Sequence, residues 1–222
     1  MQDPHAGQPV ARAGAPLDRA AGAVVLLHGR GATAESILAL AAELGRPDLA
    51  YLAPQAAGST WYPYSFLAPL AANEPWLSSA LAAVGRTLDL AAGAGHAAER
   101  IALAGFSQGA CLALEYAARH PRRYAGAAGL SGGLIGPDGT PRPSPAAAPG
   151  PPPLAGTPVF LGCGVPDPHI PAARVEESAR VFEGLGAAVT LRLYSGLGHT
   201  VNADELEHVR RLLPALRPIA FP

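Results

Sequence analysis

The chain has 222 residues, enough for one well-buried core and short for two domains. Hydrophobic residues make up 49% and charged residues 15%, which excludes the disordered class. A net charge of −1 gives no electrostatic footing for nucleic acid or an anionic membrane.

All basic residues are arginine, and Ala, Gly and Pro are abundant. A GC-rich genome explains that better than any function does. The opening stretch MQDPHAGQPVARAGAPLDRA lacks the basic-then-apolar pattern of a signal peptide. No apolar run approaches the roughly 20 residues of a membrane span. The expectation is a soluble, cytoplasmic protein with no stable membrane insertion.

Short apolar runs alternate with amphipathic stretches along the chain. A weaker pattern in PVARAGAPL (9–17) predicts an antiparallel edge strand; otherwise residues 1–20 read as flexible. AVVLLHG (23–29) reads as a buried strand ending in a glycine turn. TAESILALAAELG (33–45) reads as a helix, with Thr33 as N-cap, Ser36 behind it and Gly45 as its stop. AYLAP (50–54) is the next strand, stopped by Pro54. NEPWLSSALAAVGRTLDLAAG (73–93) predicts a helix opening at Asn73 with Pro75 in its first turn.

RIALAGF (100–106) is a strand that leads directly into the helix SQGACLALEYAARHP (107–121). The strand YAGAAGLSG (124–132) precedes GPDGTPRPSPAAAPGPPPLAGTP (136–158), a proline-rich excursion expected to bury no core. PVFLGCG (158–164), a helix over 174–186, AVTLRLYSG (188–196) and a helix over 203–216 complete the chain. Apolar strands alternating with helices predict an α/β protein: a mostly parallel central sheet with helices on both faces. We expect one domain over residues 1–222.

GFSQG (105–109) lies at a strand-to-helix turn, and that context gives GxSxG its meaning. So sharp a turn holds Ser107 in strained backbone, above the C-terminal edge of the sheet. Gly105 and Gly109 are needed because side chains there collide across the turn. A serine hydroxyl is a poor nucleophile until a base takes its proton. In such folds the chain order is serine, acid, histidine, on loops after successive strands. Asp167, just past one strand, and His199, just past the next, meet that order.

Rivals for the acid are Asp138, in the preceding loop, and Asp204, better read as an early-helix acid. His28 precedes the serine, and His96 lies at the wrong sheet edge. His120 and His208 sit on helices, and His169 is too local to Asp167 to bridge it to Ser107. For an oxyanion hole, the backbone N–H groups of Gln108 and of Arg30, in HGRG (28–31), are the candidate donors. The Arg30 side chain has two readings: a surface salt bridge, or a contact to a polar or anionic part of a substrate. Cys111 and Cys163 form no CxxC or Cys/His cluster, so they read as buried thiols and no metal site is expected.

HGRG, GFSQGA, GVPDPHIP and YSGLGHT together resemble the phospholipase/carboxylesterase family of α/β-hydrolases, which includes the acyl-protein thioesterases. The resemblance runs from about Ala21 to Leu216. It implies a minimal α/β-hydrolase fold with no large cap domain, Ser107, Asp167 and His199 as the triad, and main-chain oxyanion donors at Arg30 and Gln108. Three features depart from the family pattern. Ala110 stands where a second glycine is common, Arg30 where leucine or glycine is common, and the proline-rich loop is long.

STWYPYSFLAPLAANEPW (59–76) concentrates the aromatic residues. Trp61, Tyr62, Tyr64 and Phe66 are the candidate substrate-binding residues, since the resembled family forms its acyl groove there, and Tyr62 or Tyr64 can also offer a hydroxyl to the substrate. The bland alternative is a hydrophobic plug that packs the loop onto the body. The expected activity is a serine carboxylesterase acting on small to medium acyl or aryl esters, with no cofactor. Thioesterase, lysophospholipase or acyltransferase activity on the same fold is the alternative, and a non-catalytic ligand-binding relative is a further one. The expected partner is a small-molecule ester; a homodimer is allowed, and nothing in the sequence calls for one.

Overall fold

A computed structural model describes residues 3–142 and 151–213. Seven strands form one sheet: β1 (Val10–Gly14), β2 (Ala23–Leu27), β3 (Ala50–Pro54), β4 (Ile101–Phe106), β5 (Gly126–Leu130), β6 (Pro158–Val165) and β7 (Ala188–Ser195). Their spatial order is β1-β3-β2-β4-β5-β6-β7. Only β1 runs antiparallel, pairing with β3 from Val10↔Pro54 to Gly14↔Ala50. The central strands are apolar throughout because both of their faces are covered: all five residues of β2 are buried.

Alternate residues of β2 serve the two faces. Val25 and Leu27 join one core with residues of α3 (Trp76–Gly93), α4 (Gln108–Arg119) and α5 (Ala172–Gly184). Val24 and Leu26 join a second core with residues of α1 (Ala34–Ile37), α2 (Ala39–Leu44) and α6 (Ala203–Leu212). All parallel strands therefore end at one edge of the sheet, where the loops after β2, β3, β4, β6 and β7 meet. Among the described residues, no helix is long and apolar enough to cross a membrane.

Several expected boundaries shift for physical reasons. The helix expected over 33–45 is two pieces, α1 and α2, meeting at Leu38; Thr33 does cap the first in a box with Ser36. The helix expected from Asn73 starts instead at Trp76, after Pro75. Asn73 is no cap: its side chain accepts from the Tyr64 N–H at 2.9 Å and donates to the Ser65 carbonyl at 3.0 Å. Tertiary bonds to the aromatic loop thus outcompete a local preference. Helix α5 begins two residues earlier than read, behind Pro171. Asn202 caps α6 in a box with Glu205; residues 214–216 of that expected helix lie outside the described residues.

The proline-rich stretch does contribute to the core, contrary to its composition. Leu154 is fully buried, and its N–H donates to the Leu185 carbonyl at 3.1 Å. The start of the stretch is tied down by charge. Arg142 donates to both carboxylate oxygens of the buried Glu115, at 3.1 and 3.0 Å. Arg174 binds the Gly136 carbonyl at 2.8 Å and also reaches Asp138. Residues 143–150 of the stretch lie outside the described residues.

Candidate active site

Strand β4 turns into α4 at Ser107, whose φ is 56° and ψ is −121°. A non-glycine residue at positive φ is strained, and the surrounding packing imposes it here. A Cβ at Gly105 would overlap the Gly109 backbone; one at Gly109 would overlap the Leu27 and His28 backbone. The two glycines let α4 start directly against β2 and β4, which leaves Ser107 at the tip of the turn.

His199 Nε2 lies 2.9 Å from Ser107 Oγ, and His199 Nδ1 lies 2.7 Å from Asp167 Oδ2. A carboxylate only accepts, so Nδ1 carries the ring proton and Nε2 is left to accept from the serine hydroxyl. The other oxygen, Asp167 Oδ1, accepts from the N–H groups of His169 and Ile170 at 2.8 and 3.0 Å. Burial acts to raise the Asp167 carboxyl, but the bonds from His199, His169 and Ile170 outweigh it and leave the pKa below the usual carboxylate range. The acid is therefore ionised and fixed in orientation. The His199 ring is held between Phe106 and His169, with centroids 4.9 and 4.8 Å away.

Of the rival residues, His169 lies against His199 without bridging Asp167 to Ser107, and four others sit elsewhere. Asp138 is exposed and paired with Arg174. Asp204 accepts from the Tyr194 hydroxyl at 2.8 Å. His28 is buried, with Nδ1 bonded to the Gly29 carbonyl and Nε2 accepting from the Ala56 N–H. His96 bonds the Leu17 carbonyl near the far edge of the sheet.

A cavity of about 600 Å³ opens beside Ser107, between the loops after β2 and β3 and the start of α4. Arg30, Tyr62, Tyr64, Phe66, Ser107, Gln108 and His199 all line it. Trp61 does not. It is fully buried, its indole N–H donates to the His28 carbonyl at 2.8 Å, and its ring lies beside those of His5 and His28. The aromatic stretch thus divides: Trp61 is the plug, and Tyr62, Tyr64 and Phe66 are wall.

The Arg30 side chain makes no surface salt bridge among the described residues, although it does line the cavity. Its guanidinium donates to Thr60 Oγ1, the Pro63 carbonyl and the Tyr64 carbonyl at 2.9, 3.0 and 2.8 Å. It straps the aromatic loop to the loop after β2. The Gln108 side chain does the same from the elbow, accepting from the Trp61 N–H at 3.0 Å and donating to the Tyr62 carbonyl at 2.8 Å. Sequence reasoning assigned Gln108 only a backbone role. The available signal was a glutamine opening an otherwise apolar helix. His5 was also missed: it donates to the Trp61 carbonyl and accepts from the Ala57 N–H, at 2.9 and 3.0 Å. Among the described residues, no group of three or more His, Cys, Asp or Glu is placed to hold a metal ion.

The described residues form a mostly parallel seven-stranded sheet covered by helices, with no large cap among them, which is a minimal α/β-hydrolase. The sequence pattern of the phospholipase/carboxylesterase family matches residues 9–216, and the chain belongs to that family of hydrolases. A phospholipase/carboxylesterase from Dyadobacter fermentans DSM 18053 is similar over 95% of this chain and 97% of its own, with 42% identity and a TM-score of 0.85. The Bacillus cereus carboxylesterase shares the fold at 22% identity, with a TM-score of 0.71 and 95% of each chain covered. Acyl-protein thioesterase 1 of Gibberella zeae is 33% identical over 124 residues, 52% of this chain. The match spans about half, 47%, of that relative's length.

Proposed function

We propose that the protein is a serine carboxylesterase acting on small-molecule esters through an acyl-serine intermediate. The unbroken hydrogen-bond chain Ser107–His199–Asp167 at the cavity mouth carries this reading. His199 Nε2 takes the hydroxyl proton as Ser107 Oγ attacks the ester carbonyl. The negative charge on the carbonyl oxygen then faces the N–H groups of Arg30 and Gln108. Gln108 is the first residue of α4, so its N–H has no intrahelical acceptor and the helix N-terminus adds a positive field. Protonated His199 gives its proton to the leaving alcohol. The same nitrogen next activates a water, which releases the acid and restores Ser107. Asp167 steadies the imidazolium and fixes its tautomer.

Thioester hydrolysis is the second reading, favoured by the similarity to an acyl-protein thioesterase. Both readings use the same residues, and matched oxygen and thiol esters of one acyl group separate them.

Ser107→Ala should lower kcat on p-nitrophenyl esters by about 10⁴ or more while the far-UV spectrum is kept. Asp167→Asn should cost about 10⁴. Near-full activity in Ser107→Ala, or a larger loss in Asp138→Asn than in Asp167→Asn, overturns the assignment.

A further inference from the structure

The cavity beside Ser107 has a polar group at its inner end that no step of the proposed reaction uses. Tyr62 and Cys111 are its least exposed lining side chains, at 1% each, while Tyr64 on the rim is 60% exposed. Cys111 lies one helical turn beyond Ser107, its N–H bonded to the Ser107 carbonyl at 3.0 Å. An acyl group on Ser107 that follows α4 inward therefore reaches Cys111 after about 6 Å, or roughly four to five bonds. Phe66 and Ile170 make the neighbouring wall apolar.

The exception is the Tyr62 hydroxyl. It is buried and makes no hydrogen bond of normal geometry among the described residues; the Cys111 thiol beside it is a weak partner at most. Such an orphan is unfavourable unless a ligand completes it. Burial, followed by the influence of Cys111, holds the phenol well above its usual pKa, so it stays neutral and keeps a proton to donate. Cys111 Sγ, a weak acceptor, already receives the Gly133 N–H at 3.5 Å. The polar atoms of Gln108 are spent on the aromatic loop. Burial at this inner end disfavours a charged occupant and favours a neutral one.

Resting on the reading of Ser107 as nucleophile, we infer that Tyr62 determines acyl specificity. Its hydroxyl donates to a neutral oxygen carried by a short acyl group, about four bonds from Ser107 Oγ. The preferred substrates are then esters of short acids bearing an ether or carbonyl oxygen, over plain alkyl esters of equal length. The buried donor discriminates because an alkyl chain leaves it unpaired.

The test compares p-nitrophenyl 3-methoxypropanoate with p-nitrophenyl pentanoate, which differ by one oxygen in place of a methylene. Each kcat/KM is divided by the rate of hydroxide hydrolysis of the same ester. The wild-type protein should prefer the ether ester about tenfold, and Tyr62→Phe should bring the ratio to about one. The ratio is taken on one sample, so it does not depend on the fraction of variant that folds. An equal ratio in wild type and Tyr62→Phe, or a wild-type preference for pentanoate, overturns the inference alone. No wild-type turnover of either ester overturns the reading of Ser107, and this one with it.

Discussion

The elbow at Ser107 and the aromatic loop at 59–66 face each other across the cavity and are held by opposite means. Backbone packed on backbone makes the elbow: Gly105 against Gly109, and Gly109 against Leu27. The aromatic loop hangs on side chains reaching from afar: Arg30, Gln108, Asn73 and His5 all bond to its main chain. Direct packing tolerates no added atom. Strapping tolerates change in the loop as long as the straps hold. Under the proposed function, the attacking serine therefore sits on the stiff side, and the residues proposed to choose the substrate sit on the adjustable side.

The sharpest way to break this contrast is Gly109→Ala. Its methyl group would meet the Leu27 carbonyl, with no flexible side chain to yield. We expect a loss of about 3 kcal/mol or more in urea unfolding, with esterase activity falling in parallel. A fully stable Gly109→Ala would mean that the elbow is looser than its geometry implies.

Arg30→Ala should separate the two regions. It removes three bonds to loop acceptors and keeps the backbone of the loop after β2. Global stability should change by about 1 kcal/mol. Limited proteolysis should cut within 59–66 faster, and KM should rise severalfold. A stability loss equal to that of Gly109→Ala would mean that loop and scaffold unfold as one unit.

The smallest expected effect is on pH. Burial lowers the pKa of both His5 and His28, and each ring accepts a backbone N–H through one nitrogen. A lowered folded-state pKa means that the folded form prefers the neutral ring. The contribution of each is complete above the ordinary value near 6.5 and is lost as pH falls through the lowered one. Both tryptophans, Trp61 and Trp76, lie beside His5. Tryptophan emission should therefore change on acidification at a higher pH than far-UV dichroism does. Coincident transitions would argue against independent loosening of the loop.

The same contrast explains how much of the molecule could be read in advance. The sheet, its edge strand and the elbow were legible because short continuous apolar runs, caps and glycines act on near neighbours. Asp167 and His199 were legible because loop order along a parallel sheet constrains which side chains meet. The straps were not. Arg30 to Tyr64 spans 34 residues and His5 to Trp61 spans 56, and no periodicity marks a side chain that seeks a distant carbonyl. Asn73 misled for that reason, being a sound helix cap by type but committed to Tyr64 and Ser65. Leu154 was hidden by its proline-rich neighbours, whose composition describes the stretch and says nothing of one anchor within it.

The central claim is that Ser107 carries the acyl group. Mixing the protein with a p-nitrophenyl ester, quenching in acid within the first turnover and measuring peptide masses tests it most directly. The account predicts one acyl mass on the peptide containing Ser107, absent in Ser107→Ala. Turnover with no adduct at Ser107, or with the acyl group on Cys111, would contradict it.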